Sequence, residues 1–416
     1  MALGIYISVP FCRSKCSFCN FASDVFSRAV FERYVDRVCA DIENANQIAE
    51  EMGGTTEREV DSIYLGGGTP TVLEAGQLER IFSAVRQQFN VSKVAEITVE
   101  CAPGTLSAPV LDSLLRCGVN RISLGVQSFV DAEASAVGRL HTRAIVLDDI
   151  ARLRAAGISD INMDLIAGLP HQTAKSWEFS VAEAIAAGVP HLSVYMLEVD
   201  EDSRLGRELL AGGTRYHAHF VPDDATADFY AAACEQLEAA GTAQYEISNF
   251  ARAGHESRHN LKYWTSQPYL GFGVDAHSML FTNREGHGFS RANRKRESES
   301  GSSPCGSNIE AVRFATADSL ERYSAGVPSQ RSPVSAEEAL EESFFLGLRL
   351  NRGVDLREIE AKFGRSAVEN LKGVVAELVG SNLLMRDGEV ISLTSRGRLF
   401  SNEVFERFLA THDVTR

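Results

Sequence analysis

Short apolar runs alternate along the first half of the chain with longer segments of helical periodicity. An apolar run at 4–9 precedes a segment, 28–51, whose apolar residues recur at helical spacing. Strands that alternate with helices lie parallel and are joined by right-handed crossovers. The pattern predicts an α/β fold with a full or partial β/α barrel, and an open, doubly wound sheet is the alternative. The five further apolar runs lie at 62–65, 96–101, 121–126, 161–166 and 191–197.

The last part of the chain has a different pattern. Apolar residues recur at helical spacing around Ala339 and again over 356–363 and 367–378, and a short polar–apolar alternation follows at 389–393. Helices followed by a small hairpin are typical of winged-helix-like folds. The pattern therefore predicts a small, mainly helical, winged-helix-like domain at this end of the chain.

These patterns divide the chain into three predicted parts. The barrel occupies residues 1–280 and the winged-helix-like domain occupies residues 333–416. The linker between them, 281–332, includes a polar, Ser- and Gly-rich stretch at 293–307 without periodicity. Such a composition is typical of a flexible insertion.

Composition and charge narrow the classes of function. The 416 residues are 44% hydrophobic, which is ordinary for a globular protein with a sizeable core. The formal net charge of -15 disfavours nonspecific nucleic-acid binding, which depends on neutralising phosphates. We find no basic and apolar signal segment and no apolar run near the roughly 20 residues that span a bilayer. These features predict a cytoplasmic protein without a membrane span or a nucleic-acid partner.

Three of the eight cysteines form a closely spaced group. Cys12, Cys16 and Cys19 have C-x3-C-x2-C spacing and follow the first apolar run, so one loop can point three thiolates at one metal centre. A structural zinc site requires four ligands, and the sequence offers no second C-x-x-C pair. A 4Fe–4S cluster held by three cysteines leaves one iron open to a small molecule. The spacing favours the cluster over zinc or a disulfide.

The spacing resembles that of the radical S-adenosylmethionine (SAM) superfamily. In a parallel-strand fold the catalytic and binding residues lie at the carboxyl ends of the strands. The residues just after each apolar run are therefore the candidates for a ligand site. The second run ends in Gly66, Gly67 and Gly68, where missing Cβ atoms let the backbone approach a ligand closely. A tight turn before a helix is the alternative interpretation of these glycines.

Polar residues follow the next strands at the same predicted rim. Glu100 and Gln127 end the third and fourth runs, and Asp164 lies within the fifth. A carboxylate can accept hydrogen bonds from two ribose hydroxyls, and Arg139 could pair with a ligand carboxylate. Taken singly, Glu100, Gln127 and Asp164 are better explained as solvated or satisfied polar residues, and Arg139 is equally well explained as an exposed arginine at a helix start. Their shared position at one rim favours a ligand site.

The motifs together resemble the branch that contains oxygen-independent coproporphyrinogen oxidases and the heme chaperone family HemW. The motifs are PFC-x3-C-x2-C, GGGTPT, NRISLGVQSF, DLIAGLP, YEISNF, HNLKYW and EESFFLGLRL. The resemblance implies a 4Fe–4S cluster on Cys12, Cys16 and Cys19. It implies SAM binding by Tyr6, Phe18, Gly67, Gly68, Thr69, Glu100, Gln127, Arg139 and Asp164.

A second group of residues resembles a haem-associated motif. The segment HNLKYW contains His259, Asn260, Tyr263 and Trp264. It resembles the HN-x-x-Y motif, which is associated with haem binding in the heme chaperone family. An imidazole can bind haem iron, and large rings pack against a macrocycle. A buried, hydrogen-bonded structural histidine is the alternative. His277, in a second motif of the family, is a further histidine of interest.

Two functions remain open from the sequence. The first is a haem-binding chaperone with a radical SAM core that delivers haem to a recipient protein. The second is an oxygen-independent coproporphyrinogen III oxidase, which decarboxylates propionate side chains oxidatively. Such oxidases have a further cysteine after the motif with one residue between, where this chain has Asn20 and Phe21. The sequence predicts neither the recipient nor the oligomeric state.

The chain also departs from the family pattern near the cysteines. Ser8 replaces a histidine that is usual in YIHIPFC, Asn20 replaces a common aspartate, and Cys101-Ala102 replaces a common Ala-Asn. A histidine close to the cluster could assist proton or electron movement, so Ser8 weakens the prediction of turnover more than the prediction of binding. The departures therefore favour the chaperone over the oxidase.

Overall fold

The computed structural model describes residues 1–212, 216, 218–282 and 309–409. The predicted flexible insertion at 293–307 lies outside these residues. Within the described part of the chain, no helix is both long and apolar enough to cross a bilayer.

Six parallel strands form the centre of the protein, and each pairs with the next in chain order. This order contains no reversal, so the predicted barrel is confirmed and the doubly wound alternative is excluded. The strands are β1 (Leu3–Val9), β2 (Glu59–Gly67), β3 (Asn90–Cys101), β4 (Arg121–Gln127), β5 (Asp160–Ala167) and β6 (His191–Met196).

Helices connect these strands, as the sequence periodicity predicts. Two short 3-10 helices, Arg28–Val30 and Pro70–Val72, accompany them. The connecting helices are α1 (Phe31–Glu43), α2 (Ala45–Glu51), α3 (Ala75–Gln88), α4 (Ala108–Arg116), α5 (Asp131–Ala136), α6 (Arg143–Ala155) and α7 (Ala174–Ala187).

Additional strands extend both edges, so the barrel stays open and is a partial one. β6 pairs with β8 (Asn249–Ala251), which pairs with β7 (Ala243–Gln244). β1 pairs in parallel with β9 (Tyr269–Phe272), and three antiparallel strands follow: β10 (His277–Phe281), β11 (Ile309–Ala315) and β12 (Gln330–Ser335). Helices α8 (Arg204–Leu210), α9 (Asp223–Ala239), α10 (Arg258–Trp264) and α11 (Leu320–Ser324) lie in this region of the chain.

Part of the predicted linker therefore contributes to the large sheet. Strands β11 and β12 lie within residues 281–332 or at their edge. β11 pairs with β10, and β12 pairs with β11. Backbone pairing of this extent integrates a segment into a sheet. We propose that the first domain continues to Ser335 rather than ending near residue 280.

Alternate side chains of β1 face the hydrophobic core and a cavity. Ile5 and Ile7 are fully buried in the main hydrophobic core, together with residues of α1. Tyr6 and Ser8 alternate with them in sequence and line a cavity. Because successive side chains of a strand point to opposite faces, one short run supplies both packing and a ligand-facing surface.

The carboxyl-terminal residues form their own hydrophobic core. Helices α12 (Ala336–Gly347), α13 (Leu356–Phe363) and α14 (Arg365–Gly380) pack with a small sheet of order β13-β15-β14. The predicted winged-helix-like architecture is confirmed. Its remaining elements are β13 (Val354–Asp355), β14 (Leu384–Asp387), β15 (Val390–Leu393), α15 (Ser395–Leu399) and α16 (Ser401–Glu406).

Helix α10, which contains the HNLKYW motif, lies against the amino ends of the first strands. The Glu96 carboxylate accepts hydrogen bonds from the backbone N–H groups of Arg258 and His259, at 2.9 and 3.0 Å. Lys262 Nζ donates to the Ala2 carbonyl at 2.8 Å. The body of this helix is therefore anchored at the end of the strands opposite to the cysteine loop.

Candidate functional site

The cysteine loop follows β1 and is held by backbone hydrogen bonds to distant parts of the chain. Cys12 N–H donates to the Asp24 carbonyl at 3.0 Å, and Ser17 N–H donates to the Val137 carbonyl at 2.9 Å. The Ser17 carbonyl accepts from Leu205 N–H at 2.8 Å. These contacts fix the loop over the carboxyl ends of the strands before any ligand is bound.

A cavity of about 450 Å³, called here the first cavity, opens beneath the loop. It is lined by all three cysteines of the motif and by residues from the carboxyl ends of β2 to β6. The structure brings together in its wall eight of the nine residues predicted to bind SAM. They are Phe18, Gly67, Gly68, Thr69, Glu100, Gln127, Arg139 and Asp164.

The glycines of the first cavity pack too closely for side chains. A Cβ at Gly68 would lie 2.8 Å from the Phe11 carbonyl oxygen and 3.0 Å from Cys12 Sγ. Gly67 has φ of +100°, in the left-handed region that favours glycine. Thr69 N–H donates to the Phe11 carbonyl at 2.8 Å. The glycine segment therefore supports the cysteine loop as well as lining the cavity.

Two carboxyl groups face this cavity from neighbouring strands. Burial, and then the nearby Asp164, raise the pKa of Glu100 to about 8. Burial also raises the pKa of Asp164. The Glu100 carboxylate accepts hydrogen bonds from Tyr64 OH at 2.9 Å and from Gly67 N–H at 3.1 Å. Such carboxyl groups are suited to a ligand that offers hydroxyl donors or positive charge.

Two further polar atoms of the first cavity lack a hydrogen-bond partner. Gln127 Oε1 and Arg139 Nε are both buried and unpaired. Gln127 also has φ of +68°, an uncommon value for a residue other than glycine. Arg139 is half-buried rather than exposed, and Arg139 Nη1 lies 3.5 Å from Cys16 Sγ. Buried polar atoms are normally satisfied, so these two atoms fit a polar ligand that supplies the missing partners.

The sulfur atoms have the surroundings that a metal cluster needs. Burial raises the pKa of the Cys12 and Cys19 thiols, so their thiolates require a compensating positive centre. Among the described residues, no three His, Cys, Asp or Glu side chains are grouped closely enough to hold a single metal ion. A 4Fe–4S cluster attaches each cysteine to a different iron, so its ligands stand farther apart. The donor set fits this group.

Tyr6 lies outside the first cavity and lines a neighbouring second cavity of about 370 Å³. Its ring is 6.1 Å from that of Tyr64, in a stacked arrangement. Gly67 lines both cavities. The predicted contact between Tyr6 and SAM stays a prediction. The second cavity is lined by Tyr6, Ser8, Phe21, Ala22, Ser23, Gly67, Tyr263, Tyr269, Asp275 and His277.

The HNLKYW motif reaches this second cavity through Tyr263 alone. His259 is fully buried behind it, with Nε2 2.8 Å from Tyr263 OH and Nδ1 3.0 Å from Ser62 Oγ. Burial lowers the pKa of His259 to about 3. Asn260 and Trp264 line neither cavity. Iron ligation by His259 stays a prediction, and it would require breaking the hydrogen bond of the ring nitrogen that binds the iron.

Sequence reasoning missed several residues of the first cavity. Tyr195 lies near the carboxyl end of β6 and Glu198 follows that strand, and both line the wall. Inspection of that strand end alone could have found them. Leu140 and Ile145 line the cavity as exposed apolar residues, 70% and 36% accessible. No local sequence signal distinguishes them from ordinary surface residues.

A partial barrel with three cysteines over its carboxyl end is the architecture of the radical SAM superfamily. The family model "Radical SAM superfamily" matches residues 6–184, and the "HemN C-terminal domain" model matches residues 334–400. The fold is similar to that of a coproporphyrinogen III oxidase (HemN) from Escherichia coli, with a TM-score of 0.79 and 22% identity over 98% of this chain and 90% of that chain.

Sequence relatives identify the family within this class. The chain is 34% identical to "Heme chaperone HemW" of Bacillus subtilis, over 97% of this chain and 98% of the relative. It is 31% identical to the protein of that name in Escherichia coli, over 98% of both. The chain belongs to the heme chaperone HemW family.

Proposed function

We propose that the protein is a haem-binding chaperone built on a radical SAM core, and that it delivers haem to a recipient protein. Full-length similarity to relatives named heme chaperone HemW supports the haem function. The observation that supports the core most directly is the first cavity, where the cysteines and eight predicted SAM residues share one wall. We also propose that the protein works in the cytoplasm, where thiolates stay reduced.

In this proposal different residues of the chain bind the cluster and SAM. Cys12, Cys16 and Cys19 hold the 4Fe–4S cluster, which in this superfamily supplies an electron to bound SAM. Arg139, with its unpaired Nε, pairs with the carboxylate of SAM. Glu100 accepts hydrogen bonds from hydroxyl groups, and the glycine backbone approaches the ligand where no side chain intervenes.

Replacing Cys16 tests the cluster assignment. After anaerobic reconstitution we expect about four iron and about four sulfide per chain, with broad absorption near about 400 nm. Cys16→Ala should abolish both, because one ligand of three is lost. Cys39→Ala is the matched control, since Cys39 lies on α1 and outside the first cavity. A full cluster in Cys16→Ala would refute the ligand assignment.

Two assays separate the chaperone from the oxidase. Haem titration followed by Soret absorbance should show saturable binding to the reconstituted protein, and loaded protein should transfer haem to an apo-haemoprotein acceptor. Incubation with reductant, SAM and coproporphyrinogen III should leave that substrate unchanged. Sustained formation of protoporphyrinogen would overturn the chaperone proposal in favour of the oxidase, and absence of haem binding would remove its basis.

A further inference from the structure

The histidines that the structure describes differ sharply in how accessible their ring nitrogens are. His259 and His191 are buried, and each has both ring nitrogens in hydrogen bonds. His141 lines the first cavity but is buried, with Nε2 3.0 Å from the Val126 carbonyl. His277 is different, because it lines the second cavity and its side chain is 68% exposed. An incoming metal can therefore reach this imidazole without disrupting the core.

The second cavity has the walls of a site for a flat, mainly apolar molecule. Four of its ten lining residues are aromatic: Tyr6, Phe21, Tyr263 and Tyr269. Phe21 is 63% exposed, so its ring is accessible to a ligand in the second cavity. Aromatic rings pack favourably against the faces and edges of other planar π systems. The cavity volume of about 370 Å³ admits part of a macrocycle and leaves the rest in solvent.

The surroundings of His277 suit a metal ligand. Asp275 Oδ1 lies 3.8 Å from His277 Nε2, and Asp275 also lines the second cavity. Histidines that bind metals commonly donate their other ring N–H to a carboxylate, which sets the tautomer and strengthens the ligand. At 3.8 Å the two side chains are too far apart for this hydrogen bond, and a side-chain rotation would be needed to form it. Asp275 has φ of +54°, in the left-handed region, within the turn that joins β9 to β10. This turn thus presents a carboxylate and an imidazole together at one cavity.

We propose that haem binds in the second cavity, with its iron ligated by His277 and its ring packed against Phe21, Tyr263 and Tyr269. This inference rests on the proposed haem-binding function and names the site for it. His259 is then a positioning residue, since its hydrogen bond holds Tyr263 in the cavity wall. The two cavities share Phe21, Ser23 and Gly67, so haem would lie beside the cysteine loop.

Haem titration of wild type, His277→Ala and His255→Ala tests the ligand. His255 is the matched control because it is also partly exposed, at 38%, and lies outside both cavities. The reconstituted full-length proteins are titrated with ferric haem and followed by Soret absorbance and electron paramagnetic resonance. We expect His277→Ala to lose at least about tenfold in affinity, with a changed Soret maximum and spin state. Added imidazole should restore the wild-type spectrum, and His255→Ala should match wild type.

A second variant tests whether the cavity holds the ring. Phe21→Ala should weaken haem binding severalfold while retaining the wild-type spin state, because it removes packing and not the ligand. Its affinity is measured with cluster content checked by iron analysis, since Phe21 also lines the first cavity. Unchanged affinity in Phe21→Ala would overturn the location of the ring.

These experiments test the His277 site and the proposed haem-binding function separately. Wild-type protein that binds no haem refutes the proposed function. Haem binding that is unaffected in affinity and spectrum by His277→Ala overturns only this site. Weakened binding that imidazole does not rescue, in a variant with an unchanged circular dichroism spectrum, overturns His277 as the ligand.

Discussion

Replacing Glu100 by glutamine tests the electrostatics of the first cavity. Burial and Asp164 raise the pKa of Glu100 to about 8, so its carboxyl is protonated at neutral pH before a ligand arrives. SAM brings hydroxyl donors and a sulfonium cation, and both interact more favourably with a carboxylate than with the neutral acid. Binding should therefore expel a proton, and the affinity for SAM should rise with pH up to about 8.

The size of this effect follows from linkage. A group whose pKa falls from about 8 in the free protein to well below 6 in the complex increases the apparent affinity roughly 25-fold between about pH 6.0 and about pH 7.5. The sign is fixed, because the free protein holds a proton in this window that the complex lacks. Glu100→Gln has no proton to release, so its affinity should be weaker at about pH 7.5 and nearly independent of pH.

Isothermal titration of the reconstituted protein with SAM measures both quantities. Titrations in two buffers of different ionisation enthalpy should report close to one proton released per site near about pH 6.5 in wild type, and close to none in Glu100→Gln. Glu198→Gln is the control, since Glu198 is an exposed carboxylate that lines the same cavity. A wild-type affinity that does not change with pH, with no proton release, would refute the raised pKa.

Two other substitutions test packing around the cavities. Gly68→Ala should lower the iron content after reconstitution severalfold, because the added Cβ would lie 3.0 Å from Cys12 Sγ; Gly76→Ala, where a Cβ would have open space, should keep wild-type iron content. His259→Ala should reduce the free energy of unfolding by about 2–4 kcal/mol, since it leaves a cavity and removes the hydrogen bond to Tyr263. Urea unfolding followed by circular dichroism measures this loss, and a change below about 0.5 kcal/mol would contradict the structural role.

The sequence determined the parts of this protein that depend on local spacing. The apolar runs became the six parallel strands, and Cys12, Cys16 and Cys19 lie in one loop because only a few residues separate them. Glu100 and Gln127 reached the same cavity as that loop. Parallel strands place their carboxyl ends at one edge, so position along each run was enough to group them.

The HNLKYW motif shows what the sequence could not determine. Its helix is held at the amino ends of the strands, and His259 bonds with Ser62, which is 197 residues away. The residue types of this motif suggest a haem ligand. They do not reveal that both ring nitrogens of His259 already have hydrogen-bond partners. The sequence distinguishes His277 only by its resemblance to a family motif, and the exposure of its ring and its distance from Asp275 are seen only in the folded chain.

The division between two cavities also required the tertiary structure. Tyr6 lies on β1 and Gly68 directly follows the adjacent strand, β2, and the resemblance implies one ligand for both residues. Tyr6 nevertheless lines the second cavity and Gly68 the first. Strands β11 and β12 belong to the large sheet because the backbone groups of β11 pair with β10 and those of β12 pair with β11. The position of a residue along the chain determines which end and which face of its strand it occupies. Which neighbour faces it depends on how distant segments pack, and local sequence does not encode that.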